Sequence, residues 1–269
     1  MHKKSLSIMF MLLIFTLFVT GLQIHAAPAE KKSLKLGCLA PTQPMVQWIK
    51  EGLSPLGYSV EILMFDANQL PATALKDGSV DGIIANHRQW VLTFNKESNA
   101  NLEMVKPYLF HSFYAIYSVK YKKLTDIPRN AQIVIPGDPT NLSRSLLILK
   151  DAGLITLGEK NGPFYTTLDV KDNPKKIKLI EAEITQTARS IQDVDAVIAT
   201  AFHAASTGKI DPRNVLFEDR QNKEYPLGLI VRSEDLNAQW IKDAVKIYRS
   251  KAYRTKFTDT FKNTYWLFD

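Results

Sequence analysis

The segment "VIPGDPTNLSRSLLILKDAGLI", Val134 to Ile155, predicts a buried strand, a polar turn and a helix in immediate succession. The helix is predicted over residues 142–152, and Gly153 follows at the position where a left-handed residue often ends a helix. Arg144 stands in the first turn, where the helix dipole disfavours positive charge by about 0.3–1 kcal/mol. A guanidinium beside the N–H groups of a helix start indicates that an anion binds between them.

The same alternation of strand and helix continues on both sides of this segment. Before it, the sequence predicts strand, helix, strand, helix and strand at residues 34–40, 44–57, 59–65, 70–78 and 80–86. Around and after it, the sequence predicts strands at residues 113–119, 132–136, 177–183, 194–200 and 227–233, a short helix near Arg189 and a final amphipathic helix from Asn237. This order is typical of parallel α/β sheets. Two units of about 80 to 110 residues without a flexible linker predict two lobes, with a ligand cleft beyond the carboxyl ends of the strands.

The amino-terminal residues predict export. Lys3 and Lys4 precede the apolar run Ile8–Val19, and "HAAPA" follows it, which is the pattern of a secretory signal peptide cleaved after Ala27 or Ala29. The apolar run is shorter than the roughly 20 residues that span a membrane. No cysteine follows the run, so we expect a soluble periplasmic protein without a lipid anchor. We predict a signal peptide at residues 1–29, lobe I at residues 30–112 plus 228–269, and lobe II at residues 113–227.

The remaining composition favours an ordinary globular core and argues against several classes of function. Cys38 is the only cysteine, so no intrachain disulfide is expected, and its apolar neighbours indicate a buried residue. The net charge is +7, or +5 without Lys3 and Lys4, and no nucleic-acid-binding motif accompanies it. The histidines of the mature chain lack metal-binding spacing, and no nucleophile or phosphate-loop motif is present. We therefore expect no cofactor, no metal, no nucleic acid and no catalytic residue.

Candidate ligand-binding residues follow two of the predicted strands. Asp138, Thr140 or Asn141 can cap the helix that carries Arg144, which leaves other N–H groups free for an anion. The alternative is an arginine solvated on the flank of the helix. His87 follows a predicted buried strand and can donate to a carboxylate, while a hydrogen-bonded structural histidine is the other open interpretation. Several aromatic residues can form either a wall of the cleft or part of the core: Trp90, Phe110, Phe113, Tyr114 and Tyr117.

Four segments together resemble one family of binding proteins: "FDANQLPATALKDGSVDGIIANHRQWVLTFNKE", "VIPGDPTNLSRSLLILKDAGLITL", "DVKDNPKKIKLIEAE" and "DVDAVIATAF". They are similar to the NlpA family of methionine-binding proteins that serve ABC importers, and the resemblance covers residues 34–250. It implies the two-lobed periplasmic binding protein fold (type II), in which a free amino acid, usually methionine, is clamped between the lobes. It also implies an ABC permease and ATPase as partners, and we expect the chain to be a monomer.

The resemblance further implies roles for individual residues. Arg144 matches the arginine that holds the ligand carboxylate. His87 matches the histidine of the family's "FQH" motif, and Asn141 matches the asparagine of its "DPTN" motif. Trp90 takes the place of an aromatic residue that contacts the ligand side chain, and Tyr114 falls in a region that lines the same pocket.

Four positions depart from the family pattern. The phenylalanine and glutamine of "FQH" are Ala85 and Asn86 here, and two asparagines that contact the ligand in the family become Ala199, in "VIAT", and Gly228, in "PLGLIV". A buried group left without its partner costs about 1–3 kcal/mol, so we expect methionine to bind less tightly unless His203 or water compensates. Three smaller side chains also predict an enlarged site and a ligand larger than methionine, such as an N-substituted amino acid or a short peptide.

These observations predict an extracytoplasmic solute-binding protein that delivers methionine, a related amino acid or a short peptide to an ABC importer. A ligand sensor or surface interaction module on the same fold is the alternative. An exported enzyme is a further alternative, but His87 is its only good acid–base candidate and no carboxylate ends a nearby strand.

Overall fold

The computed structural model describes residues 32–269. The predicted signal peptide at residues 1–29 lies outside this range. Among residues 32–269, no helix combines the length and the apolar composition that crossing a bilayer requires.

The described chain alternates strands and helices. The strands are β1 (Ser33–Leu39), β2 (Ser59–Phe65), β3 (Gly82–Ile84), β4 (Leu102–Met104), β5 (Phe110–Ser112), β6 (Tyr114–Tyr117), β7 (Gln132–Pro136), β8 (Thr156–Leu157), β9 (Val170–Asp172), β10 (Lys178–Ala182), β11 (Ala196–Thr200), β12 (Phe217–Glu218), β13 (Pro226–Leu227), β14 (Ile230–Arg232) and β15 (Tyr265–Leu267). The helices are α1 (Gln43–Leu53), α2 (Leu70–Lys76), α3 (Arg88–Ser98), α4 (Pro139–Asp151), α5 (Ile184–Thr187), α6 (Ala201–Ser206), α7 (Gln239–Arg249) and α8 (Lys251–Thr260).

The first sheet has the strand order β2-β1-β3-β14-β4. β1 is parallel to β2 and to β3, whereas β14 runs antiparallel to its neighbours. Leu34, Leu36 and Cys38 point to one face of β1 and pack in a buried cluster with residues of α1 and α7. The other face packs against α2 and α3 in a second cluster that includes Ile83 and Trp90. Because each buried large apolar side chain contributes about 1.5–3 kcal/mol, helices on both faces hold this sheet in place.

The second sheet has the strand order β10-β7-β11-β6-β12. β7 is parallel to β10 and β11, and β6 is antiparallel to β11. One face packs against α4, whose buried residues include Leu146 and Leu149. Val197 and Ala199 lie on the opposite face, in a cluster with residues of the segment that contains α5 and α6.

A small third sheet, β13-β5-β15, lies where the chain passes from one large sheet to the other. β5 leads into β6 of the second sheet, and β13 leads back toward β14 of the first sheet. β15 near the carboxyl terminus pairs with β5, with Trp266 opposite His111. The chain therefore crosses between the two large sheets on adjacent strands.

Most predicted elements are confirmed, and the differences have local causes. α4 begins at Pro139 rather than at residue 142, because Asp138 accepts a hydrogen bond from the Asn141 N–H and caps the helix there. Gly153 has a φ of +71°, which is the left-handed conformation predicted at this helix end. The predicted final helix is split into α7 and α8 by Ser250, whose ψ of 149° is extended. Helix α3 was not predicted.

Candidate functional site

A cavity of about 70 Å³ lies beyond the carboxyl ends of strands from both large sheets. Its walls come from the segments that follow β1 and β3 in the first sheet, from α4 after β7, and from the end of β11 in the second sheet. The carboxyl ends of parallel strands are where ligands bind in α/β folds, and the sequence predicted this location. A single buried water needs about 10–15 Å³ on this scale, so the cavity has room for a molecule of several non-hydrogen atoms.

Six of the eight predicted site residues line this cavity. They are Asn86, His87, Trp90, Tyr114, Asn141 and Arg144. The other described residues of the lining are Leu39, Pro41, Thr42, Asn68, Ala85, Ser112, Ile184, Thr185, Thr200, His203, Leu227 and Tyr265. The surface of the cavity is mostly apolar.

Arg144 is buried, and other residues already occupy part of its guanidinium. Nε and Nη2 each lie 2.6 Å from Asp219 Oδ2, and Nη2 donates to Asn222 Oδ1 at 2.9 Å. The rings of Tyr225 and Tyr114 lie on the guanidinium, with centroids 3.8 and 4.4 Å from Cζ. Among the described residues, Nη1 has no hydrogen-bond or ion-pair partner. The side chain is therefore held in place, and the N–H groups of Nη1 are the donors that remain available to a ligand.

The start of α4 is closed by a network of three side chains. Asp138 accepts from the Asn141 backbone N–H at 3.2 Å, and both of its carboxylate oxygens accept from Asn141 Nδ2, at 3.1 and 2.9 Å. Asn141 Oδ1 lies 3.2 Å from His87 Nε2. His87 Nδ1 accepts from the Trp90 N–H at 3.1 Å, so Nε2 carries the ring proton and donates to Asn141. Both nitrogens of His87 are thus engaged within the protein.

His87 is uncharged at neutral pH. Burial, followed by the nearby charge of Arg144, lowers the pKa of His87 from 6.5 to about 3. The neutral ring contacts the cavity and packs edge-on against Tyr225, with ring centroids 5.3 Å apart. The interpretation of His87 as a hydrogen-bonded structural histidine therefore describes this arrangement better than that of a free donor to a ligand.

Asn86 lines the cavity and, within residues 32–269, has one side-chain acceptor without a hydrogen-bond partner. Its Nδ2 donates to the backbone oxygen and to the side-chain oxygen of Asn68, at 3.0 and 2.9 Å. Its Oδ1 is buried and has no hydrogen-bond partner among the described residues. A buried acceptor without a partner is unfavourable, so a ligand N–H that reached this oxygen would be stabilised.

Trp90 forms part of the apolar wall. It is buried at the start of α3 and stacks on Phe94, with ring centroids 5.3 Å apart and planes 14° apart. Tyr114 is fully buried in β6; it lines the cavity, and its ring lies on the guanidinium of Arg144. Burial raises the pKa of the Tyr114 hydroxyl, so this residue is also uncharged.

His203 lines both the cavity and a second, more open groove. Its Nδ1 lies 3.0 Å from Thr200 Oγ1, and burial lowers its pKa from 6.5 to about 4. The groove has a volume of about 1090 Å³ and shares Leu39, Pro41 and Thr185 with the cavity. The cavity and the wider groove therefore lie side by side, with His203 in the wall between them.

Two predicted site residues do not line the cavity. Ala199 is buried among apolar residues on the face of β11 that packs toward α5 and α6. At Gly228, an added Cβ would lie 3.3 Å from the Leu109 backbone nitrogen and 3.6 Å from Met104 Cγ. In this structure these two positions are therefore outside the lining, and Ala85 is the one of the three small residues that lines the cavity.

The sequence did not single out the residues that hold Arg144. Asp219, Asn222 and Tyr225 lie in and after a short loop that follows β12, and Asp219 and Asn222 are 75 and 78 positions from Arg144. This loop has no helical or alternating apolar pattern, so the sequence carries no signal for these contacts. Within residues 32–269, no group of three or more histidine, cysteine, aspartate or glutamate side chains is placed to hold a metal ion.

The structure has two α/β lobes and a small, mostly apolar cavity lined by segments of both large sheets. These features define the class of periplasmic substrate-binding proteins. Residues 34–266 match the family model described as NlpA lipoprotein. The chain belongs to the NlpA lipoprotein family.

Individual relatives agree with this assignment. A protein of Escherichia coli O157:H7 named D-methionine-binding lipoprotein MetQ is 31% identical over 226 residues, which cover 82% of this chain and 83% of the relative. A solved nutrient binding protein from Burkholderia cenocepacia, bound to methionine, is 27% identical with a TM-score of 0.81, and the match covers 87% of this chain and 99% of that one. A solved ABC transporter periplasmic substrate-binding protein from Coxiella burnetii is 29% identical with a TM-score of 0.78, over 86% of this chain and 98% of that one. The predicted family, the fold class and the prediction of a binding protein rather than an enzyme are confirmed.

Proposed function

We propose that the cavity binds a free amino acid with an apolar side chain, methionine or a close relative, and that the protein delivers it to an ABC importer. The observation that carries this proposal is the buried Arg144, whose Nη1 is available at a small apolar cavity. The relatives, which include methionine-binding proteins and an ABC transporter component, support the same ligand class.

In this proposal the polar end of the ligand meets two groups. Nη1 of Arg144 donates to the ligand carboxylate, and Oδ1 of Asn86 accepts from the ligand ammonium. A hydrogen bond to a charged group contributes about 1.5–3 kcal/mol. The apolar side chain then lies against Trp90 and Ala85, and its burial contributes about 1.5–3 kcal/mol more. Several contacts of this size are needed to reach the roughly 8 kcal/mol of a micromolar complex.

The other predicted site residues have supporting roles. His87 and Asn141 bond to each other and hold the walls of the cavity, while Tyr114 supports the guanidinium from one face. Asp219 and Asn222 accept hydrogen bonds from Nε and Nη2 and so fix the orientation of the guanidinium. A ligand carboxylate would therefore meet a donor whose position is set before binding, which lowers the entropy lost on association.

A single amino acid fits the cavity better than a peptide does. The volume of about 70 Å³ suits a small molecule, and only one of the three positions expected to enlarge the site lines it. A longer ligand would have to extend past His203 into the open groove. The groove makes a short peptide the second candidate ligand.

We further propose how the chain divides into lobes, which partners it has and where it acts. We place lobe I at residues 30–112 plus 228–269 and lobe II at residues 113–227, with a hinge at the adjacent strands β5, β13 and β15. Closure of the lobes about this hinge would exclude water and strengthen the polar contacts. The partners are an ABC permease and ATPase, the protein is a monomer, and its compartment is the periplasm.

Calorimetric titration of the mature protein with methionine, other apolar amino acids and a methionine dipeptide tests the proposal. We expect the tightest binding, near micromolar, for free methionine or a close relative. Arg144→Gln should abolish it, and Arg213→Gln, which removes an exposed arginine paired with Asp211, should leave it unchanged. Unchanged binding by Arg144→Gln would refute the role of Arg144.

Arg144→Gln leaves the buried Asp219 carboxylate without its cation, which can destabilise the fold. A double variant, Arg144→Gln with Asp219→Asn, removes both charges, so that neither buried group is left without its counter-charge. Circular dichroism of each variant separates loss of binding from loss of structure. A folded double variant that still binds methionine as wild type does would also refute the proposal.

A further inference from the structure

Arg144 forms an ion pair with a buried carboxylate of the protein, Asp219. Asp219 and Arg144 are 6% and 4% exposed, and Asp219 Oδ2 lies 2.6 Å from two of the three guanidinium nitrogens. The second carboxylate oxygen, Oδ1, accepts from the Gln221 N–H at 2.8 Å. A buried pair with such short contacts has no net charge to offer a ligand.

The amino-terminal end of α4, where the N–H groups carry positive potential, also contacts a carboxylate of the protein. Asp138 caps the helix and holds the Asn141 side chain with both carboxylate oxygens. A carboxylate at a helix start offsets the positive potential of the N–H groups there. The two features that the sequence predicted as an anion site, the guanidinium and the helix start, are therefore each neutralised within the protein.

The count of charges around the cavity follows from these contacts. Among the described residues that line it, Arg144 is the only one with a permanent charge. His87 and His203 are neutral at pH 7, since burial lowers the pKa of each to about 3 and about 4. Asp219 pairs directly with Arg144, and Asp138 bonds to Asn141, so two carboxylates contact residues that line the cavity. A ligand with a net negative charge would lose its hydration here without gaining a net attraction.

We propose that Asp219 is a positioning residue that sets the charge class of the ligand, so that the cavity selects zwitterions over simple carboxylate anions. The unpartnered Oδ1 of Asn86 supplies the acceptor for the cationic end of such a ligand. This inference rests on the proposed function, because it concerns the same cavity and the same arginine. It goes further in stating that a carboxylate alone is not sufficient for binding.

The test compares methionine with its desamino analogue, the methylthio-substituted butanoate that keeps the carboxylate and side chain but lacks the ammonium. Titration of the wild type with both ligands should give at least about 100-fold tighter binding of methionine. Asp219→Asn should reduce this ratio by about tenfold or more, because the anion gains affinity when one buried carboxylate is removed. Asp219→Glu should restore the wild-type ratio.

Two further variants keep the test independent of folding. Asp138→Asn removes the second carboxylate and keeps a good helix cap, so it should shift the ratio in the same direction as Asp219→Asn. Asp211→Asn removes a half-buried carboxylate that also pairs with an arginine, and it should leave the ratio unchanged. The ratio is a better readout than affinity alone, since a purely structural loss would weaken both ligands equally.

The possible outcomes separate the two proposals. Wild-type binding of the anion within threefold of methionine overturns this inference and leaves the proposed function intact. Equal weakening of both ligands in folded Asp219→Asn also overturns it. Failure of the wild type to bind any amino acid overturns the proposed function and this inference together.

Discussion

His87 Nε2 lies 3.2 Å from Asn141 Oδ1, and this hydrogen bond joins the residue that caps the start of α3 to the first turn of α4. α3 follows a strand of the first sheet and α4 follows a strand of the second sheet. The bond therefore links the two sets of elements that build the cavity. It requires a neutral imidazole in one tautomer, because Nδ1 already accepts from Trp90.

The neutral state of His87 predicts a specific dependence of stability on pH. Its pKa is about 3 in the folded protein against 6.5 in the unfolded chain, so between these values the unfolded state binds a proton that the folded state does not. Stability is therefore complete above pH 6.5 and falls as the pH falls. Between about pH 7.5 and about pH 5, this residue should cost the wild type about 2 kcal/mol.

Urea unfolding of the wild type and of His87→Gln at both pH values measures this contribution. The variant should lose less stability on acidification, with the difference close to that amount. His203 titrates in the same direction in both proteins, so its contribution cancels from the comparison. Identical pH dependence in the two proteins would contradict a buried, neutral His87.

Trp90 should contribute to both stability and binding. It is buried, stacks on Phe94 and lines the cavity. Trp90→Ala should lower the free energy of unfolding by about 3–5 kcal/mol and weaken methionine binding by about tenfold or more. Trp90→Phe keeps an aromatic wall and should retain most of both. Denaturant unfolding and calorimetry measure the two effects, and wild-type affinity in a folded Trp90→Ala variant would exclude Trp90 from the ligand contact.

Cys38 should be unreactive in the folded protein. Its side chain is fully buried in β1, and burial raises the pKa of the thiol from 9.0 to about 11. The nucleophile in thiol chemistry is the thiolate, which is scarce at such a pKa. A colorimetric disulfide reagent at about pH 8 should detect no thiol in the native state and one thiol per chain in guanidinium chloride. Prompt reaction under native conditions would contradict the packing of β1.

The main elements of the fold could be predicted because their apolar patterns are long and their ends carry clear signals. β2 and β7 have the predicted bounds, and both are apolar runs between polar or turn residues. Helix α3 escaped prediction because His87 caps it, and histidine is not among the usual cap residues. The break at Ser250 had a local signal, since serine is a good cap and accepts from the Tyr253 N–H.

The site could be predicted only in part, because the sequence indicates which residues follow a strand but not what they bond to. Arg144, His87 and Asn141 were singled out by their positions, and all three line the cavity. Their hydrogen bonds go largely to other protein groups, and Asp219, the partner of Arg144, lies 75 positions away from it. Contacts over such distances arise from the fold as a whole and leave no local pattern.

A crystal structure of the mature protein with bound methionine tests the central claim most directly. We predict a ligand carboxylate oxygen within about 3 Å of Arg144 Nη1, with the Asp219 contacts to Nε and Nη2 retained and the ligand ammonium close to Asn86 Oδ1. A ligand held in the groove beyond His203, with its carboxylate away from the guanidinium, would contradict the claim.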